Sequence, residues 1–390
     1  DKVMAKPVII DELPYRHSVF RFYDLDFSNI TYWWSDSCED DFFKRLKTLN
    51  LYKKFVVDMI SNKAYLILDL SQDPVHIKQV DNFYKNTVFK FFKRYKIPWY
   101  RLIVLSPSPD NLYFDRAGDN YTNHVEPDKT IRPYKHIHYN NLFQYTKMCY
   151  QDFNCQVKLD SYPSKHFLFM SYRDTVPRML MNTFFHIHSI TDNFISHNRI
   201  IERDTLSNKH KFLLVKSFFK SIKEFDFKSF LKYGFLKQTL DDPSNKAAAT
   251  HSYDLHRFYS SKSCFEIVSE TCVSHNKLCL TEKTFKAILS KNVFLISGNP
   301  YSLDWLKSLG FKTFSDIIDE SYDKEQIFYK RFLMIFDEIK KLCSLDVDSL
   351  HKKLEPLNDI VEHNYNHFLS NTWDFNLSQN IQSHMDKHYD

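Results

Sequence analysis

The apolar positions of this chain fall into short solid runs, separated by segments in which they recur at helical spacing. Ala64-Tyr65-Leu66-Ile67-Leu68-Asp69, running into polar Leu70-Ser71-Gln72-Asp73-Pro74, predicts a buried strand followed by a loop. Ile77, Val80, Phe83, Tyr84, Val88 and Phe91 recur three or four residues apart and predict a helix over 75–95. A second strand is predicted over 101–106, stopped by Pro107-Ser108-Pro109. The polar stretch 110–133 reads as a long surface loop and 136–140 as a third strand.

Past Pro163-Ser164-Lys165, which reads as a linker, the pattern starts again. Strands are predicted over 166–171, 264–269 and 293–297, with helices over 178–189, 211–222, 281–290 and 301–309. A polar insert surrounds Asp254 to Phe258, and the remaining residues read as helical. Strands alternating with helices imply an α/β protein with two doubly wound, Rossmann-like domains. Ligands in such sheets sit outside the carboxyl ends of the strands, so the expected site is the cleft between the domains. The boundaries read as 1–162, 163–372, and a last helix, 373–390, bracing the two domains.

Composition narrows the chemistry. Of 390 residues only four are Gly, so neither a G-x-G-x-x-G fingerprint nor a glycine-rich phosphate loop can be assembled. Classical dinucleotide dehydrogenases and P-loop NTPases are excluded. A net charge of +5 is too mild to imply nucleic acid without a local patch. No run approaches the ~20 apolar residues of a membrane span. Seven Cys without a C-x-x-C pair read as reduced thiols in a cytoplasmic protein, and Asp1-Lys2-Val3-Met4 reads as a trimmed start.

The informative stretch is 270–300. Thr281 is a good N-cap for a helix that turns Phe285, Ile288 and Leu289 inward. Glu282 and Lys283 then occupy its first turn, where free N–H groups and the dipole favour anions. A Lys there suits a phosphate and a Glu suits ribose hydroxyls. The same spacing fits an ordinary capped helix with a solvated Glu–Lys pair.

Leu280-Thr281-Glu282-Lys283-Thr284-Phe285-Lys286-Ala287-Ile288, followed by Val293-Phe294-Leu295-Ile296-Ser297-Gly298-Asn299-Pro300, resembles the donor-binding signature of α1,3-fucosyltransferase-type enzymes. Phe265-Glu266, or Ser269-Glu270-Thr271, stands where that family has an upstream Phe-Glu-Asn. Phe167-Leu168-Phe169-Met170-Ser171 with Arg178 resembles its strand–Ser-Asn–Arg element, with Tyr172 in place of the Asn. Gly310-Phe311-Lys312-Thr313-Phe314 and Asp319-Glu320-Ser321-Tyr322-Asp323 resemble uncharacterised bacterial and viral transferases. The likeness spans 165–325. It implies a GT-B-like glycosyltransferase using a nucleoside-diphosphate sugar, GDP-linked, without a metal or other cofactor. Ser171, Arg173, Arg178, Glu270, Thr281, Glu282 and Lys283 would bind the donor, with Arg178 on its pyrophosphate.

An inverting transferase also needs a carboxylate base, expected in the N-terminal half. Asp69 and Asp73, flanking the end of the first strand, are the candidates, although Asp is also common in loops and caps. Glu39, Asp40 and Asp41 beside Trp33-Trp34 are the alternative, with the Trp pair stacking on a sugar or simply buried. His136-x-His138 and His186-x-His188 lack a third ligand and predict no metal site. Lys85 to Lys96 mixes cations with aromatics and reads as a wet basic helix face or a nucleic-acid contact. The function expected is therefore sugar transfer to a glycan hydroxyl. Transfer to hydroxymethylated bases in phage DNA and a non-catalytic binding module are the alternatives.

Overall fold

The computed structural model describes residues 8–10, 30–35, 42–70, 84, 87–106, 113–117, 122–126, 134–138, 146, 162–171, 175–197, 227–234, 236–238, 240, 251–270, 278, 280–370 and 377–388. The chain divides into two compact units, one of 1–113, 126–145 and 374–390, the other of 114–125 and 146–373.

The first unit is built on a parallel five-stranded sheet. Its first four strands are Val8–Ile10 (β1), Ile30–Ser35 (β2), Ala64–Asp69 (β3) and Leu102–Ser106 (β4). Between β4 and the fifth strand in sequence come Tyr113–Ala117 (β5) and Thr122–Glu126 (β6), a separate two-stranded ribbon whose residues 114–125 fall in the other unit. The fifth is Lys135–His138 (β7), and the order is β1-β2-β3-β4-β7. All six β3 residues are buried, because a parallel sheet is covered on both faces. Ala64, Leu66 and Leu68 point to one side, where Phe42–Thr48 (α1), Tyr52–Ile60 (α2) and Val88–Arg94 (α3) deliver Phe42, Leu46, Phe55, Met59, Phe91 and Phe92. Tyr65 and Ile67 point to the other, where Ile381 and Met385 of the C-terminal helix Leu377–Asp386 close a second core.

The second unit carries a four-stranded parallel sheet. Its strands are Lys165–Ser171 (β8), Phe194–His197 (β9), Ser263–Ser269 (β10) and Val293–Ser297 (β11), in the order β11-β10-β8-β9. Val176–Ile187 (α4) lies on one face, with Phe185 against Phe167 and Phe169. Phe227–Tyr233 (α5) packs beside α4. His251–Ser260 (α6) and Glu282–Leu289 (α7) pack on β10. Four more helices follow: Ser302–Ser308 (α8), Phe328–Cys343 (α9), Val347–Leu354 (α10) and Asn358–Ser370 (α11). Phe285 of α7 stacks on Phe368 of α11, and Phe184 of α4 meets Phe332 and Phe336 of α9.

Two expectations are corrected. The stretch 110–133, expected as a loop, contains β5 and β6, and the polar insert around Asp254 to Phe258 is helix α6. In α6 His256 and Ser260 are buried, so its inward face is polar and gives no apolar periodicity to read. The helix expected over 211–222 lies outside the described residues, as does the start of the one expected over 75–95.

Candidate functional site

The carboxyl ends of the second sheet form a polar row on an apolar strand layer. Register sets Ser171, the last residue of β8, beside His197 of β9, and Ser269 of β10 beside Ser297 of β11. Side-chain alternation puts Phe167, Phe169 and Ser171 on the α4 side, together with Phe265, Ile267 and Ser269 of the neighbouring strand.

Ser171 Oγ lies 2.7 Å from His197 Nδ1, and His197 Nε2 lies 3.0 Å from the Gly234 carbonyl. A carbonyl only accepts, so Nε2 carries the proton and Nδ1 accepts from the Ser171 hydroxyl. Burial holds the His197 imidazole below its ordinary pKa, the Gly234 bond opposes this, and the nearby Arg178 charge adds to it. Arg178, on the first turn of α4, is buried and donates from Nη2 to the Ser269 carbonyl at 3.1 Å.

Glu270 follows directly. Its amide donates to Ser297 O at 3.0 Å, continuing the β10–β11 ladder. Its carboxylate accepts from Thr281 N at 3.0 Å, from Thr281 Oγ1 at 2.5 Å and from Thr284 Oγ1 at 2.6 Å. A buried carboxylate thus pins the start of α7 to the end of β10, a charge placed where the helix dipole favours it. Thr281 caps α7 through its hydroxyl, which accepts from Lys283 N at 3.4 Å.

Lys283 Nζ reaches Glu282 Oε1 at 2.6 Å and Thr281 Oγ1 at 3.2 Å. Both partners of this ion pair are about a quarter exposed, 25% for Lys283 and 28% for Glu282. Burial would raise the Glu282 carboxyl, but the Lys283 and Lys286 ammoniums and the Lys283 hydrogen bond outweigh it and hold it at about 2. Glu282 is therefore an acceptor-only anion across the working pH range.

The turn after β11 is built by packing. A Cβ on Gly298 would stand 2.9 Å from Ser302 Oγ, while buried Arg331 donates from Nε to Gly298 O at 3.1 Å and from Nη1 to Glu325 O at 2.7 Å. Asp323 already accepts from the first amides of α8, Leu303 N at 2.9 Å and Asp304 N at 3.1 Å. Burial lifts its carboxyl to about 6 against those two hydrogen bonds.

Of the residues singled out from sequence, Ser171, Arg178, Glu270, Thr281, Glu282 and Lys283 lie in the second unit, on the strand ends and helix starts linked by these bonds. Glu270 and Ser171 have structural tasks there, as helix anchor and imidazole partner. Arg173 and Asp73 lie outside the described residues, as do Glu39, Asp40 and Asp41. Asp69 is buried at the end of β3 in the first unit, in register with Ser35 and Leu105. Glu266 points to the α6 side, where its Oε1 pairs with His256 Nε2 at 2.7 Å and Ser290 Oγ meets Nδ1 at 3.2 Å. Trp34 is core, edge-on to Phe42. In the Lys85–Lys96 segment Phe91 and Phe92 are buried and Lys90, Lys93, Arg94 and Lys96 exposed, so those two rings offer no stacking platform. Sequence reasoning missed His197 and Gly234; the signal for His197 was a lone His closing the four-residue strand Phe-Ile-Ser-His.

No protein-family model matches the chain, and no curated protein matches it. Among solved structures, α,α-trehalose 6-phosphate synthase from Burkholderia multivorans covers 93% of this chain and 73% of its own, with 8% identity and a TM-score of 0.42. The N-terminal domain of Candida albicans trehalose-6-phosphate phosphatase covers 91% and 70%, with 10% identity and a TM-score of 0.41. At that degree of superposition they carry no chemistry over to this chain, and function has to be argued from its side chains.

Proposed function

We propose that this protein is a metal-independent glycosyltransferase of the GT-B-like class that binds a nucleoside-diphosphate sugar, GDP-linked, at the carboxyl ends of the second sheet. The observation that carries the reading is the chain of contacts from Arg178 through Ser269 and Glu270 to the start of α7. It joins a buried guanidinium, on one side, to a capped helix mouth bearing Lys283 and an ionised Glu282 on the other.

Cleavage of a glycosyl–phosphate bond leaves growing negative charge on the pyrophosphate. Arg178 offers a planar fork of donors to those oxygens, and Lys283 adds a mobile ammonium. The buried Arg178 charge is held in place and stabilises such a leaving group with little reorganisation. Glu282, unable to donate, suits ribose hydroxyls. On binding, Lys283 would move from Glu282 toward phosphate and free that carboxylate for the sugar edge of the nucleoside. The acceptor is a glycan hydroxyl. Its proton needs a carboxylate base, for which Asp69 and Asp73 are the candidates.

The test is a panel of nucleoside diphosphates and nucleotide sugars read by thermal shift and by turnover. One donor should stabilise the fold through linkage, chelator should leave turnover unchanged, and Lys283→Ala should lower kcat/KM at least tenfold while the apo protein melts as before. If no nucleoside diphosphate stabilises the protein, or Lys283→Ala turns over normally, the reading fails.

A further inference from the structure

We propose that the outer face of α1, α2 and α3 in the first unit docks on an anionic lipid surface. The three helices form one layer, because Phe43 of α1 meets Tyr52 and Phe55 of α2 and Phe91 of α3, at ring separations of 5.2 to 6.4 Å. Their inward residues are core, so what they show to solvent is set by the remaining positions.

The charged residues among those positions are almost all cations. Residues 42–63 and 87–96 hold ten Lys and Arg against a single acid, Asp58, in a molecule whose net charge is only +5. Asp58 is itself engaged, accepting from Tyr32 OH at 2.6 Å and pairing with Lys54 at 3.0 Å. Lys47 and Lys53, and Lys90, Lys93 and Arg94 on α3, are exposed. A basic face of this kind is attracted to any polyanion.

The apolar residues beside the cations decide between polyanions. Val57 is 63% exposed and Ile60 44%, on the same outward stripe of α2 as Lys53, and Leu49 and Tyr95 are each 36% exposed at the ends of α1 and α3. A helical surface that mixes lysines with bare aliphatic side chains matches the headgroup boundary of a bilayer, where the aliphatics enter the acyl region and the ammoniums stay at the phosphates. Single-stranded nucleic acid would use a row of stacking rings, whereas in 87–96 Phe91 and Phe92 face inward and Tyr95 is the exposed ring. No helix among the described residues is long and apolar enough to cross a membrane, so the contact is peripheral.

The experiment is co-sedimentation of the full chain with vesicles of phosphatidylcholine alone and of phosphatidylcholine mixed with phosphatidylserine, beside a duplex DNA shift assay. Retention is expected on the mixed vesicles only, falling with added salt. It should drop roughly fivefold for each of Lys53→Ser and Lys93→Ser, and also for Val57→Ser/Ile60→Ser, which leaves the charge intact. Side chains pointing into solvent should leave the melting temperature unchanged, which separates lost docking from lost fold. Failure to bind the mixed vesicles overturns the proposal. Retention unaffected by Val57→Ser/Ile60→Ser overturns it too, as does DNA binding equal in strength and indifferent to that pair.

Discussion

At the scale of single residues, the second unit depends on carboxylates that tie elements together. Glu270 accepts three hydrogen bonds from Thr281 and Thr284 while buried. Glu270→Gln keeps the size but presents an NH2 where a donor already points, so a charge-assisted bond is lost and a donor is stranded. We expect a loss of about 2–3 kcal/mol in urea unfolding, with Thr284→Ala costing about 1. Asp323 behaves in the opposite sense. Its folded carboxyl sits near 6, above that of an unfolded Asp, so the folded state holds the proton more tightly. The stability it contributes is full when it is protonated, and is lost as pH rises from the unfolded value through about 6. Urea midpoints between pH 4 and 7.5 should contain this descending component in the wild type and lack it in Asp323→Asn.

At the scale of elements, legibility followed burial. Residues 166–171, 264–269 and 293–297 were readable as strands because both sheet faces are covered, which makes the runs solidly apolar. β1 has only three residues and β9 only four, too short to stand out. α6 was hidden because His256 and Ser260, its inward residues, are polar. Within the site the cap at Thr281 and the first-turn Glu282–Lys283 pair were legible, since capping is local. The Ser171–His197–Gly234 relay was not, because it joins a strand end to a carbonyl 37 residues further along the chain. The C-terminal helix has a consequence of its own. Ile381 and Met385 are fully buried under Tyr65, Ile67, Ile103 and Leu105, and His384 Nε2 donates to Tyr100 O at 2.7 Å. Burial, with His388, Lys135 and Lys387 nearby, keeps His384 below its ordinary pKa despite the Tyr100 bond. Its neutral form is favoured when folded, so this stability is present above about 6.5 and falls as pH drops below that. Protection factors across 377–388, corrected for the intrinsic slowing of amide exchange at lower pH, should be smaller at pH 5.5 than at 7.5. Ile381→Ala should expose the same segment at both pH values and cost about 2–4 kcal/mol.

At the scale of the whole molecule, the two units differ in the groups they present. The second carries Arg178, Lys283 and an ionised Glu282 at its strand ends; the first carries apolar cores on both sheet faces, a basic outer layer and Asp69. A nucleoside diphosphate without its sugar should therefore engage the second unit alone. At a hundredfold excess over Kd it would stabilise whatever it touches by about 2.7 kcal/mol. In hydrogen exchange, added protection should concentrate in peptides spanning 165–171, 263–270 and 280–289. Peptides from β3 and β4 should exchange as they do in the free protein. Lys283→Ala should at least halve the protection at equal nucleotide concentration without altering exchange in the unliganded chain, because the start of α7 is anchored by the Glu270 carboxylate on Thr281 and Thr284. Protection that appeared first on β3 and β4 would assign the nucleotide to the other unit, and the donor pocket would have to be sought around Asp69 instead.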